Sequence, residues 1–141
     1  MISATGRPYQ LHVLRMTPGE DVRTALATWC SERSIEAAAI VSAVGSVSKA
    51  MVRFGGREEG TLLEGDLEVC ALSGTLANHG MHLHIAVADA TGHMTGGHLL
   101  NSTIVRTTLE LVIHEIGGIR LLRKPDTSTG YEELAPEPIA P

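Results

Sequence analysis

One segment of this chain has the spacing of an amphipathic helix, and most of the sequence after it alternates as β-strands do. The segment opens with Thr17-Pro18-Gly19-Glu20, in which a Thr–Glu capping box and a proline in the first turn predict a helix start. The helix is expected to end near residues 31–34. Its buried stripe is predicted from five apolar residues at helical spacing: Val22, Ala25, Leu26, Trp29 and Cys30.

Short segments of alternating apolar and polar residues predict about seven or eight strands around that helix. In the first strand, Tyr9, Leu11 and Val13 are expected to face the core and His12 the solvent. Glycines bound the later segments, and the pair at 117–118 indicates a hairpin turn. The later predicted strands cover residues 35–44, 47–54, 67–76 with a break near Ser73-Gly74, 81–89, 105–114 and 119–123. This pattern predicts an α+β, sandwich-like fold with a mostly antiparallel or mixed sheet of about seven strands and one or two helices.

The length of 141 residues is typical of one compact domain. We place this domain at residues 9–123, after a short N-terminal extension at 1–8. From 124 to 141, Pro, Ser, Thr and Glu dominate, and the apolar periodicity stops. This acidic C-terminal segment is expected to be flexible.

Composition narrows the classes of partner. The net charge of −5 is opposite to that of a DNA-binding surface, and an aromatic content of 3% leaves little for stacking on bases. The sequence shows no signal peptide and no run of about 18 apolar residues, so we expect a cytoplasmic protein that does not cross a membrane. Cys30 and Cys70 lack Cys-x-x-Cys spacing and are expected to be free, reduced core thiols.

Histidines are concentrated in one region, because five of the seven lie within residues 79–98. His82 and His84 are two apart on a predicted strand, so both side chains point to one face, roughly 7 Å apart along it. His98 follows Gly96-Gly97 and could join them from a neighbouring element. Three imidazoles on a rigid sheet suit zinc or a similar divalent ion, with a fourth position left open. The same spacing also occurs in strands that bind no metal.

Several short blocks of sequence between residues 9 and 123 follow one another in an order that is typical of a known family. In chain order they are Leu14-Arg15 with Pro18-Gly19-Glu20-Asp21, Ser42-Ala43-Val44-Gly45-Ser46, the ten residues from Gly65 to Gly74, Met81-His82-Leu83-His84, Asp89 with Gly92, and Gly96-Gly97-His98-Leu99. Taken in this order, they resemble the plants-and-prokaryotes-conserved (PPC) domain.

The resemblance implies a compact α/β domain that assembles as a homotrimer. It also implies that His82, His84 and His98 correspond to residues that form a metal site in some members. In plants the domain follows an AT-hook in nuclear proteins that regulate transcription, and it mediates self-association and contacts with other regulators. Prokaryotic members are stand-alone domains that are labelled DNA-binding by analogy.

Two departures from the plant pattern limit what the resemblance implies. Gly6-Arg7-Pro8 matches the core of an AT-hook, but Thr5 stands where an arginine belongs and no basic flank follows. Asp66 replaces an arginine of the plant partner-binding motif, so plant partner preferences do not transfer. DNA binding would instead require one basic face built from several arginines. The candidates are Arg7, Arg53, Arg57, Arg120 and Arg123.

Three functions fit these residues. The one we favour is a homotrimeric binding or regulatory domain with zinc, or another divalent metal, at the three histidines. Its partners would be other regulatory proteins or a small molecule, and Gly96, Gly97 and Glu68 are its candidate interface or ligand residues.

The second is a small metal-dependent hydrolase or lyase that uses the same histidines. It needs a general base, for which Asp89 has the wrong strand parity, and Glu68 or Glu115 would have to be brought close by the fold. The third places the histidines at subunit contacts, without metal, where Gly96-Gly97 permits either close approach or a tight turn. It predicts a subunit equilibrium that is sensitive to pH near 6–7.

Overall fold

The computed structural model describes residues 1–139, which contain one helix and eight strands. This confirms the α+β class. In chain order the elements are β1 (Arg7–Met16), α1 (Val22–Glu32), β2 (Ala38–Arg53), β3 (Thr61–Ala77), β4 (Gly80–Ala88), β5 (Met94–Leu99), β6 (Ile104–Gly117), β7 (Ile119–Pro125) and β8 (Glu132–Pro138).

Six of the strands form one antiparallel sheet in the order β1-β6-β2-β3-β4-β5. The end of β2 also pairs with β5, through Val52 with Leu99 and Arg53 with His98. Strands β2, β3, β4 and β5 therefore close on themselves. The other two strands, β7 and β8, pair with each other in a separate two-stranded sheet.

Helix α1 packs against the main core of the sheet. Val22, Leu26 and Cys30 have no exposed surface, which confirms the predicted stripe. Trp29 packs against the same cluster but is only half-buried. Within residues 1–139, no helix is both long enough and apolar enough to cross a membrane.

The helix starts later than its sequence predicts. Asp21, rather than Thr17, is the N-cap, and its side chain accepts a hydrogen bond from the backbone N–H of Thr24. Glu20 does accept hydrogen bonds from the backbone N–H and the hydroxyl of Thr17, but this pair closes a separate turn. Gly19, which lies between them, has φ of +90°, a value that lies outside the helical region.

Strand β1 faces the opposite way from the prediction. The exposed fractions are 60%, 68% and 81% for Tyr9, Leu11 and Val13. His12 instead points inward, where its ring shares a 2.8 Å hydrogen bond with Glu115 and stands edge-on to Trp29, with ring centroids 5.1 Å apart. Alternation separates the two faces of a strand, but both faces of β1 carry apolar side chains, and Met16 is buried on the other one. The packing of α1 decides which face becomes the inner one.

Two predicted strand breaks do not occur. Gly45 lies inside the 16-residue strand β2, and Gly74 lies inside the 17-residue strand β3. A methyl group on Gly45 would overlap the backbone oxygen of Thr108, and one on Gly74 would overlap that of His82. These glycines therefore allow neighbouring strands to come close, rather than ending a strand.

The C-terminal segment forms a strand instead of the expected flexible tail. Gly118, with φ of +82°, leads into β7, which pairs with β8 and does not fold back on β6 as predicted. Ile119, Leu121 and Leu134 pack in a second small core cluster with alanines of the main sheet. Alternation does not predict β8 because Pro136 and Pro138 interrupt the pattern. Prolines are nevertheless tolerated in an edge strand. Residues 140 and 141 lie outside the described range.

The two cysteines have different environments. Cys30 is buried in the core as predicted, whereas Cys70 is exposed on β3, contrary to the prediction. Burial raises the pKa of the Cys30 thiol to about 11, so almost none of it is thiolate at neutral pH.

We expect a thiol reagent at mildly alkaline pH to modify Cys70 in the folded protein and Cys30 only after denaturation. Peptide mass spectrometry of the labelled protein identifies the modified residue. The variant Cys70→Ser is the control and should take up no label while folded. Rapid modification of Cys30 under native conditions would contradict its placement in the core.

Candidate metal centre

Strand β4 displays two histidines on one face. Leu83, Ile85 and Val87 are buried in the main core, and His82 and His84 point the other way. Their Nε2 atoms are 3.2 Å apart. The predicted orientation of this strand is therefore confirmed.

The third histidine comes from the adjacent strand β5. His98 pairs with His84 across the β4–β5 ladder and with Arg53 where β2 and β5 meet. Gly96 and Gly97 lie within β5, so they allow close approach and do not form a turn. A methyl group on Gly97 would lie 2.6 Å from the backbone oxygen of Arg53, and one on Gly96 would overlap the backbone of β4. The two glycines therefore let β2 and β4 both approach the strand that carries His98.

The three side chains form a compact group of nitrogen donors. One imidazole nitrogen from each of His82, His84 and His98 lies within 4.8 Å of the other two. The ring centroids are 5.0, 5.0 and 5.6 Å apart. Nitrogen ligands of a tetrahedral zinc ion lie about 2.0–2.1 Å from the metal, hence about 3.3 Å from one another. The pair His82–His84 already has this spacing, and the donor nitrogen of His98 lies within 4.8 Å of both.

Burial and nearby positive charge favour the neutral form of two of these imidazoles, His82 and His98. The pKa of His98 is lowered to about 4, first by burial and then by His82 and Arg53. The pKa of His82 is lowered in the same way, by burial first and then by His84 and Arg123. A neutral imidazole has the free lone pair that a metal ion requires.

A cavity of about 370 Å³ adjoins the histidine group and is lined by His82 and His98 of that group and by His79. The charged residues that line it are Arg23, Arg53, Arg123, Glu132 and Glu133, with Tyr131 beside them. The sequence contains no signal that connects Arg23, Tyr131 or Glu133 with the histidines. Helix α1 and the C-terminal strand reach this site only through tertiary packing.

The carboxylates considered as general bases lie elsewhere. Glu68 is on β3, about 13 Å along the sheet from the level of His84, so this candidate ligand is not brought to the histidines. Asp89 accepts hydrogen bonds from the hydroxyl and the backbone N–H of Thr91 and closes the turn after β4. Glu115 bonds to the first strand on the inner face. Two carboxylates, Glu132 and Glu133, do line the cavity, and Glu133 also lines a second cavity beside His82 and His84.

The other histidines do not join the group. His79, in the turn before β4, bonds to Glu36 at 3.0 Å. His114 lies on β6 in register with Leu11, and His93 follows the turn after β4. Among the described residues, only the three predicted histidines come together.

The fold and the histidine group define a small β-rich domain with a candidate metal centre where its sheet closes. The sequence model of the Plants and Prokaryotes Conserved (PCC) domain, the family called PPC above, matches residues 3–117. The chain belongs to this family, which confirms the resemblance in its sequence.

Solved structures share this fold over nearly the whole chain. A hypothetical protein from Salmonella cholerae-suis is 38% identical, with 96% of this chain and 97% of that one covered and a TM-score of 0.92. A metal-containing protein from Archaeoglobus fulgidus is 25% identical, with 95% and 99% covered and a TM-score of 0.82. A structure from Ralstonia eutropha JMP134, named as a candidate DNA-binding protein, is 24% identical, with 86% and 88% covered and a TM-score of 0.74. This last likeness shows the fold alone.

The chain also matches part of a longer curated protein. It is 41% identical over 145 residues to the bifunctional protein GlmU of Synechococcus sp. (strain JA-3-3Ab). The match covers 98% of this chain but 23% of the relative. The chain therefore spans less than a quarter of the length of that relative.

Proposed function

We propose that this chain is a homotrimeric ligand-binding domain in which His82, His84 and His98 hold one divalent metal ion, zinc being the first candidate. The observation that carries the proposal is the convergence of three imidazole nitrogens within 4.8 Å of one another. The Archaeoglobus relative, which is described as metal-containing, supports it.

The donor set favours zinc over the common oxygen-seeking ions. Imidazole suits zinc, copper, iron and nickel, whereas calcium and magnesium prefer oxygen ligands. When bound by three imidazoles, zinc keeps a fourth position for a ligand or for water. A cavity beside the histidines fits a ligand-binding role.

An outward apolar patch supports the trimer. It consists of Tyr9, Leu11, Val13, Val41, Val44 and Val112, on strands β1, β2 and β6. Contiguous apolar surface on a sheet face marks a protein contact. We propose two further copies of this chain as its occupants, in line with the assembly that the family resemblance implies.

We expect the untagged protein to carry one metal ion per chain and the variant His84→Ala to lose it. Removal of one of three ligands should weaken metal binding by more than about 100-fold, the upper end of the loss caused by residues that only support a ligand. Native mass spectrometry measures the subunit number and the bound mass together. The matched control is His93→Ala, in the turn after β4, which should keep its metal.

Two results would contradict the metal proposal. A metal-free trimer after dialysis against zinc would leave the histidines as subunit-contact residues. A metal ion that is retained in His84→Ala would place the binding site elsewhere.

A metal-dependent hydrolase or lyase is the second candidate function, because of Glu133. This carboxylate lines the same cavity as His82, and a carboxylate in that place can act as a general base. A panel of ester and phosphoester substrates tests this function with the variant Glu133→Gln. An enzyme would lose turnover and keep its metal, whereas a binding domain would show no turnover in either form.

The positions of the candidate arginines, on several different elements, argue against the single basic face that DNA binding would require. Arg53 and Arg123 line the histidine cavity, and Arg57 lines a second cavity beside the histidines. Arg120 lies 3.9 Å from Glu137, and Arg7 is on β1, where its backbone pairs with Gly117 of β6. Because the net charge is −5, these positions favour a small anion over duplex DNA. We therefore propose a small molecule, rather than DNA, as the ligand.

A further inference from the structure

We propose that the cavity beside the three histidines binds a small organic oxyanion, a carboxylate or a phosphate ester, through Arg23, Arg53 and Arg123. We call it the arginine cavity. This inference rests on the proposed function in one respect, which is that the proposed metal ion would bind the same anion. The arginines supply a second anchor that can be measured separately.

Three elements that are far apart in sequence each contribute one arginine to this cavity. Arg23 comes from α1, Arg53 from the end of β2 and Arg123 from β7. Within residues 1–139, none of the three has a carboxylate oxygen within 4.0 Å of its guanidinium nitrogens. Elsewhere arginine does pair in this way, as Arg106 does with Asp66 at 2.8 Å. The arginine cavity therefore holds positive charge that the protein itself does not neutralise by direct contact.

Uncharged groups hold the three guanidinium groups in place. Arg23 donates to the carbonyl oxygen at the end of β5 at 3.4 Å, and Arg123 donates to the hydroxyl of Thr75 at 2.9 Å. Arg53 lies over the ring of Tyr131, 5.5 Å from its centroid. The two hydrogen bonds occupy part of the five-donor forks of Arg23 and Arg123, and the ring contact leaves the donors of Arg53 free. None of these contacts cancels the charge of a guanidinium group. The remaining donors match the paired oxygens of a carboxylate or a phosphate.

The arginine cavity stays positive when its acidic residues are included. Glu132 and Glu133 line it together with the three arginines, which leaves one positive charge on these side chains. Burial is the first cause of the lowered pKa of Arg23; the charge of Asp21 opposes it, and the charge of Arg123 acts in the same direction as burial. Partly buried guanidinium groups repel each other, and an anion between them relieves this repulsion. A bound divalent ion would increase the attraction for the anion.

The dimensions of the arginine cavity favour a small molecule over a polymer. Its volume of about 370 Å³ lies at the lower end of the range for small-molecule sites. Met81 and Tyr131 add apolar wall beside the charged groups. An organic anion can use both parts, with its oxygens on the arginines and its carbon skeleton on the apolar wall.

The test is calorimetric titration of the full chain with inorganic phosphate and with succinate, in the metal-free and cobalt(II)-loaded forms. We expect one saturable site per chain for at least one of these anions, and a change in the visible cobalt spectrum on binding. Arg23→Gln and Arg123→Gln should each weaken binding about tenfold, the effect of losing one charge-assisted hydrogen bond. The matched control is Arg33→Gln, which removes the same charge just after helix α1 and outside the cavity, and it should bind as the wild type does.

Each outcome of this titration either supports or overturns the anion-binding proposal. The order of the two affinities distinguishes a phosphate site from a carboxylate site. Failure to bind either anion, or binding that Arg23→Gln and Arg123→Gln leave unchanged, overturns it, as does duplex DNA binding that phosphate cannot displace. Anion binding by a protein that takes up no metal would refute the metal function and keep the arginine site. Metal uptake without anion binding would refute the arginine site alone.

Discussion

Val13→Glu is expected to convert the proposed trimer into folded monomers. Val13 is 81% exposed, the largest value in the outward apolar patch, so it contributes little to the core of its own chain. In a closed trimer the substitution occurs in every subunit, and each copy would bury an unpaired carboxylate at a cost of several kcal/mol. Dissociation should therefore be complete at micromolar concentration.

Sedimentation velocity of the wild type and the variant measures this change. Met94→Glu is the matched control, because Met94 is also an exposed apolar residue but lies on β5, outside the patch. It should remain trimeric, and circular dichroism checks that both variants are folded. A trimeric Val13→Glu protein would contradict the position of the interface, and a monomeric wild type would contradict the trimer itself.

Gly74→Ala is expected to lower the free energy of unfolding by about 2–6 kcal/mol and to weaken the proposed metal site. Gly74 has φ of +137°, and a methyl group there would overlap the carbonyl oxygen of His82. The backbone strain costs roughly 1–3 kcal/mol, and overpacking adds roughly 1–3 kcal/mol. Relief of the overlap would move β4 away from β3, and His82 would move with it.

Gly65→Ala separates the two contributions. Gly65 lies on the same strand with a similar φ of +133°, but nothing lies within 4 Å of the position that a methyl group would take. Urea unfolding of both variants therefore isolates the effect of the overlap, and metal affinity should fall only in Gly74→Ala. Equal destabilisation of the two proteins would show that β3 and β4 can separate to accept the methyl group, contrary to this expectation.

Some features follow from local spacing because the backbone of one element determines them. The alternation of Leu83, Ile85 and Val87 predicts the shared face of the two histidines on β4, since successive side chains of a strand point in opposite directions. The apolar stripe of α1 is predicted for the same reason, with the period of a helix. The clustering of glycines and histidines also carries the family resemblance.

Other features are ambiguous until neighbouring elements are known. The alternation in β1 defines two faces, yet Val13 lies on the one opposite to the prediction, because α1 packs on the other. Gly45 and Gly74 resemble strand breaks, since glycine serves both turns and close contacts between strands. Strand β8 is not predicted because its few apolar residues become buried only by packing with β7, which lies outside the main sheet.

The same distinction applies to the site. Spacing along the sequence predicts the fold class and the common orientation of His82 and His84, and the blocks of sequence carry the family resemblance. Tertiary packing is needed to place His98 beside His84, through the pairing of β4 with β5, and to bring in Arg23, Arg53 and Arg123. The physical reason is that periodicity describes the orientation of side chains within one element. Which elements become neighbours depends instead on burial of the apolar surfaces of the whole chain together.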